Sequence, residues 1–199
     1  MLQPRIIPCL LVKNRGLVKT IQFDNPKYVG DPINAVRIYN EKQVDELVVF
    51  DIDASRERRD PDYKMISNLA TECRMPLCYG GGIKTVEQAQ KIFELGVEKI
   101  AISSAAHSQG NLLPQIIEMV GSQSVVVVVD AKKRKLSKRY DVWIENATIN
   151  TKIEPGKFAA QVNDMGVGEI VINSIDQDGM MRGYEQKLIQ LIFENSNIP

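Results

Sequence analysis

The sequence is short of the residues that build metal centres and disulfide frameworks. It has one histidine and three cysteines in 199 residues. Cys9, Cys73 and Cys78 are odd in number, and the last two are not spaced as a CxxC pair. His107 lies far from all three. These positions read as buried, reduced thiols rather than disulfides or a zinc site. Net charge is also absent, with 25 Lys plus Arg against 25 Asp plus Glu, which removes the electrostatic basis for nucleic-acid binding. The apolar run near the start breaks at Lys13 and lacks a small-residue cleavage pattern. It is too short to span a bilayer, so the expectation is a cytoplasmic protein without a membrane partner.

What is present is a repeated alternation. Apolar runs at residues 5–12, 46–52, 76–79, 99–103, 124–130 and 169–174 read as strands. Most are continuous rather than alternating, Val125 to Val129 above all, which suits parallel strands covered on both faces. Helical patterns fill 32–42, 62–73, 85–95, 112–120, 155–165 and 184–193. Asp31 is the expected N-cap of the first, with Pro32 at its first position. Six β-then-α units make an α/β fold. Residues 16–23 and 132–149 follow the first and fifth strands as hairpin-like insertions. Together with the likeness of DELVVFDIDAS to GEIVINSIDQDG, they suggest a half-barrel duplication offset by about 120 residues. Chance similarity of buried strands is the alternative. A doubly wound sheet would favour a Gly-rich turn after the first strand, where VKNRG stands instead.

Chemistry-bearing residues gather where these strands end. Gly80, Gly81 and Gly82 precede a helix, so a phosphate could approach bare backbone N–H groups there, with Ser103 and Ser104 on the next strand end adding hydroxyls. A tight turn needing positive φ explains the glycines equally. Asp51, Asp53, Asp130, Asp176 and Asp178 also close strands. In a β/α barrel such ends share one face and suit acid–base work, although each alone could be a cap or turn residue. Arg5, Glu46, Lys99 and Glu169 begin strands and could form a neutral ring at the opposite face, or simply be solvated starts. Lys19 lies in the first insertion, as an anion-binding or a merely solvated lysine.

The blocks RIIPCLLVK, GLVKT, GDPINAV, DELVVFDIDAS, YGGGIKT, GVEKIAISSAA, GSQSVVVVVDAKK and GEIVINSIDQDGMMRGY stand in order from Arg5 to Tyr184. Together they resemble the cyclase subunit of imidazole glycerol phosphate synthase, a phosphate-binding (β/α)8 TIM barrel. The resemblance implies a glutaminase partner at the N-terminal face of the barrel. Ammonia then passes the charges matched by Arg5, Glu46, Lys99 and Glu169, and attacks a bis-phosphorylated ribonucleotide at the other face. It assigns phosphate contacts to Gly81, Gly82, Ser103 and Ser104 and, at a second site, to Asp178 and Gly179. Lys19 and Asp51 fall on functional loop and strand-end positions, and Asp130 on a catalytic aspartate. No metal or cofactor is expected.

Three departures qualify the match. Leu11 stands where the family carries the partner of Asp130, and leucine cannot exchange a proton. Ser103 also departs from the family's Asn-Thr pattern. Both point to a paralogous subgroup associated with amidation of surface-polysaccharide sugars, in which the ammonia route is kept and the cyclase reaction is changed or lost. A scaffold without catalysis, or another phosphate-binding barrel enzyme, are the rival readings. The other departure is length. A full barrel needs roughly 250 residues, so residues 1–199 are read as a single truncated barrel domain holding strands one to six, without strands seven and eight.

Overall fold

The computed structural model describes residues 4–108, 110–135 and 137–199. Its contacts divide the chain into two compact units. One holds the residues up to Lys19 together with Lys27–Ala101, and the other holds Thr20–Pro26 and Ile102–Pro199.

In the first unit the strands are β1 (Cys9–Lys13), β2 (Gly16–Ile21), β3 (Asp24–Gly30), β4 (Leu47–Asp51), β5 (Leu77–Gly80) and β6 (Lys99–Ile102), some reaching a residue or more beyond the unit. β1, β4, β5 and β6 run parallel, while β2 returns antiparallel along β1. Helices α1 (Pro32–Lys42), α2 (Tyr63–Glu72) and α3 (Val86–Glu94) connect the parallel strands. Their starts follow from local chemistry. The Asp31 carboxylate accepts from the Ile33 and Asn34 N–H groups at 2.8 and 3.1 Å, directly before Pro32. Thr85 and Gln88 form a reciprocal capping box, a feature worth about 1 kcal/mol. Leu47, Val49, Ile66, Leu69, Ile92 and Ile100 are fully buried between these layers.

In the second unit β7 (Val125–Lys133) is the centre. It pairs parallel with β10 (Glu169–Ser174) and antiparallel with β8 (Tyr140–Ile144), which in turn pairs with β9 (Ile149–Asn150). Helices α4 (Ser104–Ser108), α5 (Leu112–Val120), α6 (Pro155–Asp164) and α7 (Gln186–Phe193) complete it. The five valines of β7 are all buried, as a run without alternation predicts. The α/β class with parallel strands and intervening helices is therefore the observed one. No helix of the described residues is long and apolar enough to cross a membrane.

Several sequence boundaries shift. The first strand starts at Cys9 and not at residue 5, because Pro8 has no N–H to give a ladder; its carbonyl still accepts from Val48 N–H at 3.0 Å. Cys9 is exposed, against the expected burial, while Cys78 is buried in β5. The first insertion extends to Gly30, since β3 is a polar, mostly exposed strand that no hydrophobic pattern marks. β7 runs three residues beyond Asp130 into the second insertion. The last helix starts at Gln186, two residues later than expected, after Glu185 acts as an N-cap without a side-chain bond.

Candidate active site

Asp130 sits on β7 between two neighbours fixed by register: Asn173 across the parallel ladder and Trp143 across the antiparallel one. Directly opposed residues share a sheet face, so the three side chains are placed together. The Asn173 amide donates to Asp130 Oδ1 at 2.9 Å, and the Ser103 hydroxyl to Oδ2 at 3.4 Å. Asp130 is buried, and burial pushes its carboxyl up to about 6. The two hydrogen bonds pull against that shift, and the negative charge of Asp178 adds to it. A carboxyl poised there exchanges protons near neutrality, as acid–base catalysis requires.

Asp178 is itself committed to the backbone around it. It accepts from the Thr20 hydroxyl at 2.7 Å and from Phe23 N–H at 2.9 Å, and its carbonyl accepts from Gln22 N–H at 3.0 Å. Asp178 therefore tethers the tip of the β2–β3 hairpin. Gly179 has φ +68°, and a Cβ there would stand 2.2 Å from the Thr20 carbonyl oxygen, so only glycine allows the hairpin this close. A cavity of about 480 Å³ adjoins these residues, lined among others by Phe23, Asn173, Ser174, Gln177, Asp178 and Leu188. The Ser174 hydroxyl and the Gln177 side-chain amide oxygen Oε1 are buried there without a hydrogen-bond partner among the described residues.

The other strand-end residues take defined places. Asp51 accepts both guanidinium nitrogens of Arg59 at 3.2 Å and the Ala54 N–H at 3.1 Å, which closes the loop after β4. Asp53 pairs with Lys13 at 2.8 Å. Gly81 and Gly82 both have positive φ, and a Cβ at Gly82 would lie 2.8 Å from the Arg59 carbonyl. The turn thus requires glycine whether or not it holds an anion. Ser104 accepts from Glu145 N–H at 3.0 Å, anchoring the turn after β8. Lys19 is exposed on β2.

At the strand starts, one oxygen of buried Glu46 accepts Arg5 at 3.0 Å and Lys99 at 2.8 Å, which brings three of the four anticipated charges into contact. Glu169 opens β10 in the other unit. Sequence reasoning missed Asn173, Trp143 and Arg59. For Asn173 the only signal was a polar residue interrupting the apolar run of β10.

Parallel strands joined by helices, with a proton-exchanging carboxylate in the C-terminal half of a strand, are consistent with the architecture of (β/α)8-barrel enzymes. Residues 5–199 match the family described as "Histidine biosynthesis protein". The chain is 52% identical, over its whole length and 78% of the relative, to a Leptospira interrogans protein provisionally named imidazole glycerol phosphate synthase subunit HisF. It is 51% identical to a Pseudomonas aeruginosa protein provisionally named as subunit hisF2, covering 79% of that chain. The Lactococcus lactis subsp. cremoris imidazole glycerol phosphate synthase subunit HisF is 38% identical, with 77% of it covered. This chain therefore belongs to the histidine biosynthesis protein family.

Proposed function

We propose that this protein is a cyclase-like subunit of the imidazole glycerol phosphate synthase type, using ammonia released by a glutaminase partner, with its own two-carboxylate chemistry reduced to one carboxylate. The observation that carries this reading is the contrast between Asp130 and Leu11. Asp130 is buried, hydrogen-bonded to Asn173 and Ser103, and shifted to about 6. Leu11, in the corresponding strand, is paired with Phe50 and Val18. Asp130 can take or give one proton at a time near neutrality, but no second acid stands in that register.

In this reading Arg5, Glu46, Lys99 and Glu169 line the ammonia entry at the strand starts, where the glutaminase docks. The Glu46 ion pairs support it by setting one buried carboxylate between two cations at that end. At the strand ends, Lys19, Asp51, Gly81, Gly82, Ser103, Ser104, Asp178 and Gly179 receive a phosphorylated small molecule in the cytoplasm. The missing acid at Leu11 supports a final acceptor other than the cyclase substrate, and the resemblance to the surface-polysaccharide subgroup makes a sugar the class we propose.

The test is ammonia-dependent turnover of the bis-phosphorylated ribonucleotide by the protein with its glutaminase, with and without Leu11→Asp. Restoring the acid should raise the rate by about 10²-fold, the low end for acid–base participation. If the unaltered protein already turns over at the rate of a two-aspartate relative, the diverged reading fails. If neither form associates with a glutaminase, the ammonia-using role fails.

A further inference from the structure

The turn leaving β7 carries a charge concentration that the proposed chemistry does not use. Residues 132–139 contain six cations and no anion, in a chain of zero net charge. The turn is structured, since Arg134 N–H donates to the Arg139 carbonyl at 2.8 Å and Arg139 N–H to the Ser137 hydroxyl at 3.3 Å. Two of the six cations are engaged locally. Arg134 pairs with Asp141 at 2.6 Å, and Lys132 stands 5.4 Å from the centre of the Trp143 ring. Lys133, Lys135, Lys138 and Arg139 are exposed and form no ion pair among the described residues.

The matching turn after β1 behaves in the opposite way. There Lys13 pairs with Asp53 at 2.8 Å and Arg15 with Asp62, so both of its cations are neutralised within the unit. Like charges crowded on one turn repel, and an unneutralised cluster of this size is a field directed outward. A small anion would need donors converging on a pocket, whereas these four are all exposed on a turn. The fit is to a broad anionic face.

We propose that the β7–β8 turn is a docking element for an acidic protein surface, placed at the strand end that carries Asp130. This rests on reading that strand end as the place where ammonia is used: a partner bound there would stand over the outlet and carry the acceptor. Charge complementarity of this kind sets encounter rate and orientation, and is screened by salt.

The probe is a labelled glutamate-rich decapeptide, titrated onto the intact protein by fluorescence anisotropy at 50 and 200 mM salt. Inorganic pyrophosphate and phosphatidylglycerol vesicles serve as alternative ligands. The peptide should bind at low salt and weaken about tenfold at the higher salt. The triple variant Lys135→Glu, Lys138→Glu, Arg139→Glu should lose at least tenfold in affinity. An equal reversal at exposed Lys27, Lys42 and Lys187 should lose less than threefold, with both variants keeping the parent circular dichroism. Equal loss in the two variants would mean that only net charge matters and would overturn the proposal. So would absence of peptide binding at 50 mM salt, or tighter binding of pyrophosphate or vesicles than of peptide. No glutaminase enters this measurement, so it can fail while the ammonia-using role stands, and the reverse.

Discussion

The strand–hairpin pairs β1–β2 and β7–β8 are built alike and used differently. Each begins with a parallel strand, half-buried in β1 and buried through its valines in β7, adds an antiparallel return, and places a parallel neighbour on the other edge. At corresponding positions the first pair has Leu11 between Val18 and Phe50, and the second has Asp130 between Trp143 and Asn173. One framework therefore supports an apolar trio in one unit and a hydrogen-bonded carboxylate in the other. The backbone geometry is indifferent to the change; the chemistry is not. Desolvating a leucine is favourable, while desolvating a carboxylate must be offset by the donors around it. Asp130 has two such donors and still lies well above the usual carboxylate range.

The sharpest way to break the comparison is to equalise the two positions. Asp130→Asn should lower ammonia-dependent turnover by about 10²- to 10⁴-fold, the span expected for losing an acid–base group. Leu11→Asn should change it less than about threefold, because no proton transfer passes through Leu11. Steady-state assays on both variants decide this, and equal losses would remove the asymmetry. The strand starts give the next largest effect. Glu46→Ala would leave Lys99, whose side chain is 14% exposed, without its 2.8 Å partner. Lys99 keeps other interactions, so losing this pair should cost about 1.5–3 kcal/mol, the range for a hydrogen bond to a charged group. In hydrogen exchange, protection should fall in β4 and β5 and stay unchanged in β7 and β8.

The framework was more legible in the sequence than the site. β7 was readable because five consecutive valines can only be a strand covered on both faces. The α1 start was readable because capping is local, set by Asp31 and Pro32. β3 escaped notice because its polar, exposed residues are held by strand pairing and not by burial. At the site, the strand-end position of Asp130 was accessible from chain order. Its pairing with Asn173, 43 residues away, is a matter of register that no local pattern encodes. The same holds for Asp178, whose partners Thr20 and Phe23 lie more than 150 residues earlier. Whether Asp178 and Gly179 serve a ligand or the hairpin could not be separated from the motif, because one short glycine–aspartate turn satisfies both demands.

The pH dependence of stability offers a quieter test of the same contrast. Asp130 is raised to about 6 in the folded protein, above its ordinary value of 3.8. The folded state therefore holds the proton more tightly than the unfolded state, and unfolding releases it between those two values. Stability contributed by protonated Asp130 is complete below about pH 4 and is lost as pH rises through 6, a change on the order of 3 kcal/mol. Asp130→Asn should remove this dependence, making the variant more stable than the parent at pH 7 and nearly equal to it at pH 4. Denaturant unfolding at the two pH values measures it. A variant less stable than the parent at pH 7 would show that Asp130 is not held at an energetic cost.

The smallest effect concerns the turns after β4 and β10, where Ser55 and Asp178 correspond. Asp178→Ala removes the acceptor for the Thr20 hydroxyl and for Phe23 N–H, at 2.7 and 2.9 Å. Thr20 is only 6% exposed, so its hydroxyl would be left without that partner in a nearly dry place. Losing such a contact costs about 1–2 kcal/mol. Ser55 has a weaker duty, accepting from Gly82 N–H at 3.4 Å, and Ser55→Ala should cost less than about 0.5 kcal/mol. Hydrogen exchange at the Phe23 amide should accelerate roughly tenfold in the first variant, since each 1.4 kcal/mol is a factor of ten in a local opening equilibrium. The Gly82 amide should barely respond in the second. Equal responses would mean that the tether at Thr20 and Phe23 contributes nothing beyond an ordinary turn contact, and the hairpin tip would have to be held by the packing of Phe23 and the hydrogen bonds of Gln22 to the Asp176 and Asp178 carbonyls.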